Sequence, residues 1–110
     1  MTISGQNFST HQGDTENITV VLDLSETPSM DIETCNFRWV AYRHGNIVLD
    51  KVTASGIVAD NTDGTITISI ERDETKDLVG HYYHICKMVD VDNNEYTPFT
   101  GTLEIYESII

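Results

Sequence analysis

Cys35, His81, His84 and Cys86 are the side chains here best suited to chemistry, because tetrahedral zinc accepts imidazole nitrogen and thiolate sulfur. Their spacing argues against a closed site. His84-Ile-Cys86 sets two donors on one face of a strand, yet no Cys-x-x-Cys knuckle or His-x-x-x-His pair completes the ligand set. Buried thiols that behave as small apolar core residues suit Cys35 and Cys86 better, so no metal is expected. The run Asp90-Val-Asp92-Asn93-Asn94-Glu95 suggests a calcium loop. Counted from Asp90, however, the sixth position is Glu95 instead of glycine and the twelfth is Gly101 instead of glutamate. A surface calcium site using Asp90, Asp92 and Asp60 or Asp63 remains the weaker alternative to a solvated acidic turn. Catalytic signatures are missing too: there is no Gly-x-Ser-x-Gly elbow, phosphate-cradling loop or dinucleotide fingerprint. The adjacent carboxylates Asp73 and Glu74 sit in a polar corner with no reason for a raised pKa. The expectation is a protein that is not an enzyme and holds no cofactor. Tyr82 and Tyr83 are neighbours, so on a strand they point to opposite faces, and Tyr42, Tyr96, Phe99 and Tyr106 add further rings. Any of these that face out can stack on sugar or anchor a protein interface.

The elements that must position these groups are strands. Ile18, Val20, Leu22 and Leu24 share one parity, as do Ile66, Ile68 and Ile70, which is a period of two and not 3.6. This alternation predicts strands near 6–11, 15–24, 35–43, 46–52, 56–60, 64–71, 81–91 and 95–107. His44-Gly45-Asn46, Asn61-Thr62-Asp63-Gly64 and Asp92-Asn93-Asn94-Glu95 supply hairpin residues, whereas Ser25 to Glu33 reads as a longer crossing between sheets. Asp73 to Val79, closed by Gly80, has helical character for a turn or two. The whole reads as one all-β domain over 1–110, an antiparallel immunoglobulin-like β-sandwich of roughly seven to eight strands.

Composition narrows the partners. The 18 acidic residues against 6 Lys+Arg give a formal charge of −12, which repels phosphate backbones and anionic headgroups, so neither nucleic acid nor membrane is an expected partner. The N-terminus has no positively charged flank or apolar core of a secretion signal, so synthesis in a cytoplasm is expected, with Cys35 and Cys86 as thiols unless paired strands bring them together.

Landmarks of the immunoglobulin-like fold stand in order. Trp39 lies mid-strand in Cys-Asn-Phe-Arg-Trp-Val-Ala-Tyr where that fold keeps its core aromatic, and Leu78-Val-Gly80-His-Tyr82-Tyr-His84 is similar to its tyrosine corner. His84 stands where antibody domains carry a cysteine. Gly13-Asp14-Thr15 leads into Ile-Thr-Val-Val-Leu, the run Ile57 to Ile70 precedes Leu-Val-Gly-His-Tyr-Tyr-His, and Tyr96-Thr-Pro-Phe-Thr-Gly101-Thr-Leu-Glu-Ile closes the chain. Across residues 13–106 this resembles the small immunoglobulin-like β-sandwich domains of tailed-phage virion proteins, including the N-terminal domain of baseplate upper proteins. The resemblance implies a non-enzymatic virion structural protein made in the bacterial host cytoplasm. It would act as a capsid decoration or adaptor subunit, docking on other virion proteins of the capsid, neck or baseplate as a homo-oligomer or symmetric array. A carbohydrate-binding or host-surface adhesion module is the alternative, and a regulatory partner of a larger bacterial enzyme a third reading.

The chain ends are the expected docking loci. Ile109 and Ile110 form an apolar terminus on an acidic protein, and the segment carrying Met1, Ile3 and Phe8 can add a strand to a neighbour's sheet edge.

Overall fold

A computed structural model describes residues 2–24 and 30–109. The strands are β1 (Phe8–His11), β2 (Glu16–Val21), β3 (Asn36–Arg43), β4 (Asn46–Thr53), β5 (Gly56–Asp60), β6 (Thr65–Ile70), β7 (Gly80–Val89) and β8 (Glu95–Tyr106). A 3₁₀ turn at Ile32–Thr34 and a short helix, α1 (Arg72–Thr75), complete the described elements. Each strand falls on a predicted run because the alternation that marks it is the alternation that buries it. In β6, for example, Ile66, Ile68 and Ile70 are buried while the residues between them are half-exposed. No helix of the described residues is long and apolar enough to cross a membrane.

The strands form one hydrogen-bonded ribbon in the order β1-β8-β7-β3-β4-β5-β6-β2, and it is mixed. This corrects the expectation of a purely antiparallel sheet. β1 runs parallel to β8, and β4 meets β5 in a parallel contact of two residue pairs, Val52↔Gly56 and Thr53↔Ile57. The second contact is a corner: Ala54 takes a φ of 67° and the chain steps sideways from one half of the fold to the other instead of reversing. A five-stranded half, β1-β8-β7-β3-β4, thus faces a three-stranded half, β5-β6-β2. Between β3 and β4 the reversal is tight, with His44 and Gly45 at φ 54° and 78°, the left-handed pair that a two-residue hairpin requires.

The inward side chains of both halves meet in one core. Phe37, Trp39, Tyr82, Met88, Phe99 and Leu103 come from the larger half and Ile18, Val20, Ile57, Ile66, Ile68 and Ile70 from the smaller. Burying each such side chain contributes about 1.5–3 kcal/mol, which is why alternation dominates the architecture. The two halves are also pinned by charge. Lys51 points inward from β4 and bonds Glu74 of α1, whose carboxylate also accepts the Glu71 N–H in a capping box. At the opposite pole Asn61 donates to Asp31 and accepts from the Ile32 N–H, tying the 3₁₀ turn to the β5–β6 connection. The expected crossing at Ser25 to Glu33 does link the halves, since β2 and β3 belong to different ones; residues 25–29 lie outside the described residues.

Candidate functional site

The outward face of the five-stranded half carries a contiguous apolar strip. On β7 the side chains of Tyr83, Ile85, Lys87 and Val89 alternate with the buried Tyr82, His84, Cys86 and Met88, so they all point away from the core. Register then brings their neighbours alongside: Tyr83 stands beside Tyr42, which stands beside Ile47, while Ile85 stands beside Val40. The Tyr42 and Tyr83 rings pair at 5.9 Å with a 35° tilt. Tyr83 is 59% exposed, Ile47 53% and Val52 43%. At one end of the strip lies a hollow of about 410 Å³ lined by Asn36, Phe37, Arg38, Val52, Thr53, Lys87 and Val89.

Charges on this face pair with one another. Arg38 holds Asp50 in a two-pronged bond at 2.7 and 3.0 Å, and this bond keeps the Asp50 carboxyl below the usual range. Lys87 donates to Thr97 at 2.7 Å and lies 3.8 Å from Glu95, and His81 lies 3.5 Å from Glu104. The face therefore holds two of the chain's 6 Lys and Arg residues and three of its 18 carboxylates, leaving most of the −12 charge elsewhere.

No family model matches the chain, and no curated protein does. Among solved structures 78 chains match. A crystal structure of a chicken TCR aligns with 97% of this chain and 56% of its own, at 13% identity and a TM-score of 0.60. The V domain of amphioxus IgVJ-C2 aligns with 89% of this chain and 98% of its own, at 13% identity and a TM-score of 0.35. This chain spans 56% of the length of the TCR chain it matches. The fold is immunoglobulin-like, and at these identities the likeness concerns the fold alone.

The fold's landmarks sit where the sequence predicts. Trp39 is fully buried, and Tyr82 forms the corner, its hydroxyl donating to the Val79 carbonyl at 3.1 Å and accepting the Val79 N–H at 3.2 Å. Arg43 caps that corner, 4.3 Å above the Tyr82 ring.

The side chains weighed and set aside as zinc ligands are not brought together. His84 and Cys86 point into the core while His81 points out, and Cys86 stands opposite Trp39, so Cys35 is four residues away along the neighbouring strand, about 13 Å. Both cysteines are free and buried, and burial pushes the Cys86 thiol up to about 12. Asp90 uses its carboxylate to build its own turn, accepting from the Asn94 and Asp92 N–H groups and the Tyr96 hydroxyl. Among the described residues no group of three His, Cys, Asp or Glu side chains is placed to hold a metal.

The predicted docking residues separate. Ile109 is 93% exposed. Ile3 and Phe8 are instead half-buried against the chain's own core, because their segment lies along the edge of β8 of the same chain and not across a gap. Met1 and Ile110 lie outside the described residues. Sequence reasoning missed the Tyr83–Tyr42–Ile47 strip as a unit, although Tyr83's parity opposite Tyr82 signals that one ring faces out.

Proposed function

We propose that this chain is a non-enzymatic structural subunit of a tailed-phage virion, a capsid decoration or adaptor. It docks on another virion protein through the outward face of its five-stranded half. The observation that carries this reading is the row of Tyr83, Tyr42 and Ile47, neighbours across three strands and continued by Ile85 and Val40, on a face whose charges are already paired. Five strands about 4.8 Å apart and about 27 Å long present about 650 Å², close to the roughly 800 Å² per partner of a standard interface. The tailed-phage context rests on the sequence resemblance over residues 13–106. A partner of different sequence suits the charge better than self-association in solution, because two copies at −12 repel each other over the rest of their surfaces. A symmetric array then follows from the lattice on which the copies sit.

The test is addition of the purified protein to virions lacking it, with Tyr83→Arg and Thr67→Arg compared with the wild type. Loss of binding by about 30-fold or more is expected for Tyr83→Arg, the size of an aromatic hot spot, and no more than about twofold for Thr67→Arg on the opposite face. Equal binding by both variants overturns the reading. The Tyr42–Tyr83 pair and, four residues further along the same two strands, the hollow at Arg38 and Lys87 also support a second reading, a carbohydrate-binding or host-surface adhesion module. A glycan array on which no sugar binds removes it.

A further inference from the structure

His84 is 1% exposed, and its partner across the β7–β8 ladder is Gly101. The missing side chain at Gly101 opens a path over β8: a Cβ there would lie 2.0 Å from the Gln6 carbonyl oxygen and 2.8 Å from His84 Nε2. Through this gap Nε2 reaches the Gln6 carbonyl oxygen at 2.5 Å, while Nδ1 lies 3.2 Å from Trp39 Nε1. An indole nitrogen only donates, so Nδ1 must be the acceptor and Nε2 must carry the proton that it donates to Gln6. Geometry alone therefore requires a neutral ring of one tautomer. Burial, the largest influence, favours that neutral form by lowering the pKa, against the smaller pull of the Gln6 carbonyl.

What the ring holds is the N-terminal segment. Ile3 N–H donates to the Pro98 carbonyl at 2.9 Å, Thr100 N–H to the Ile3 carbonyl at 3.0 Å and Gln6 N–H to the Thr100 carbonyl at 3.0 Å, before β1 continues in parallel along β8. Phe8 covers His84 with its ring centroid at 5.2 Å and a 26° interplanar angle. The segment fits imperfectly: Thr10 Oγ1 is the one buried side-chain oxygen or nitrogen among the described residues without a hydrogen-bond partner. Its far end is anchored where Gly13 N–H donates to Thr75 Oγ1 at 3.0 Å, so residues 3–11 can lift without disturbing β2.

We propose that residues 3–11 are a releasable strap, latched through the relay from Trp39 to His84 to Gln6, and that protonation of His84 lifts the strap from the edge of β8. A second proton has to sit on Nδ1, setting donor against donor at the Trp39 contact. Among the described residues no anion faces the ring to compensate. On β7, His81 and Lys87 point outward and Cys86 keeps its proton; on β8, Glu95 and Glu104 lie on the outward face; on β3, Arg38 points outward to Asp50 and Arg43, a cation, lies over Tyr82 and donates to the Val79 carbonyl; on the strap His11 pairs with Tyr106. The facing half contributes isoleucines and valine. An imidazolium therefore has to reach water, and the removable cover over it is the strap. Release would leave the outer edge of β8 without its partner, a template for another strand. This inference stands on the His84 geometry and is independent of the proposed docking face.

The sign follows from linkage. A histidine held neutral when latched and titrating near 6.5 when exposed favours the open form as pH falls below 6.5, by up to about tenfold per pH unit until the latched form also protonates. The experiment is amide hydrogen exchange on the full chain at pH 7.5 and 5.0, each corrected to the intrinsic rate. Protection of the Ile3, Gln6 and Thr100 amides is expected to fall at least tenfold at pH 5.0 while the β3–β7 ladder keeps its protection. His84→Gln, which cannot titrate, is expected to show no such difference. If that variant fails to fold, Gly101→Ala, which wedges the gap, is expected to release the strap at both pH values. Unchanged strap protection in the wild type, loss shared by the β3–β7 ladder, a pH difference that persists in His84→Gln, or a latched strap in Gly101→Ala overturns the proposal.

Discussion

The two halves of this ribbon share one core and turn different chemistry outward. On the three-stranded half the outward residues are Asn17, Thr19, Thr65, Thr67 and Ser69, with Thr19 and Thr67 hydroxyls 3.2 Å apart across the β2–β6 ladder. Val21 and Val58 are well exposed there, but each stands beside a threonine. On the five-stranded half, by contrast, Tyr83, Tyr42 and Ile47 touch in one row and Ile85 and Val40 continue it. Single exposed valines are ordinary on any protein surface, whereas a continuous row marks a place for a partner. The contrast shows that exposure alone does not make an apolar patch; adjacency set by strand register does.

Removing what both faces share gives the largest effect. Trp39→Ala is expected to cost about 4 kcal/mol by opening a core cavity, and it also strips His84 Nδ1 of its donor, so urea denaturation should reveal loss of both halves in one transition. A smaller effect is expected at the seam between the halves. Burial raises the Glu74 pKa, but the bonds from Lys51 and the Glu71 N–H outweigh it and leave the carboxyl below its ordinary 4.5. Its contribution is therefore whole above 4.5 and fades as pH falls through the lower folded value. Glu74→Gln should cost about 2 kcal/mol at pH 7 and flatten this acid limb in stability curves measured between pH 3 and 7. Tyr82→Phe touches the larger half alone, and losing the corner hydroxyl is expected to cost about 1 kcal/mol in the same assay. Least of all is expected from Asp50→Asn, which loosens an exposed ion pair on the proposed docking face and should leave the thermal midpoint unchanged within error.

Much of this was legible in the sequence. The alternation at Ile66, Ile68 and Ile70 defines β6, and β5 falls on 56–60 as predicted, because side-chain parity and burial report the same physical fact. Direction was not legible: a period of two is the same whether a strand runs parallel or antiparallel, so the β1–β8 and β4–β5 pairings came only with the coordinates. The inward Lys51 was hidden too, since its partner Glu74 lies 23 residues away on a different element. His84 was visible as the residue in a cysteine's place, but its role depends on the bare backbone at Gly101 and a carbonyl 78 residues distant. Cross-chain geometry of that kind leaves no trace in local spacing. The Tyr83 row shows the same limit, because parity predicts an outward ring but not which side chains stand beside it.

Because β1 and β8 run side by side in the same direction, tension applied through the two flanks of the domain would draw these strands past each other lengthwise. Every rung between Phe8 and His11 on one side and Leu103 and Tyr106 on the other then shares the load at once, where a hairpin pulled from its open end unzips rung by rung. The arrangement acts as a lap joint, strong along its length and easily peeled from the side.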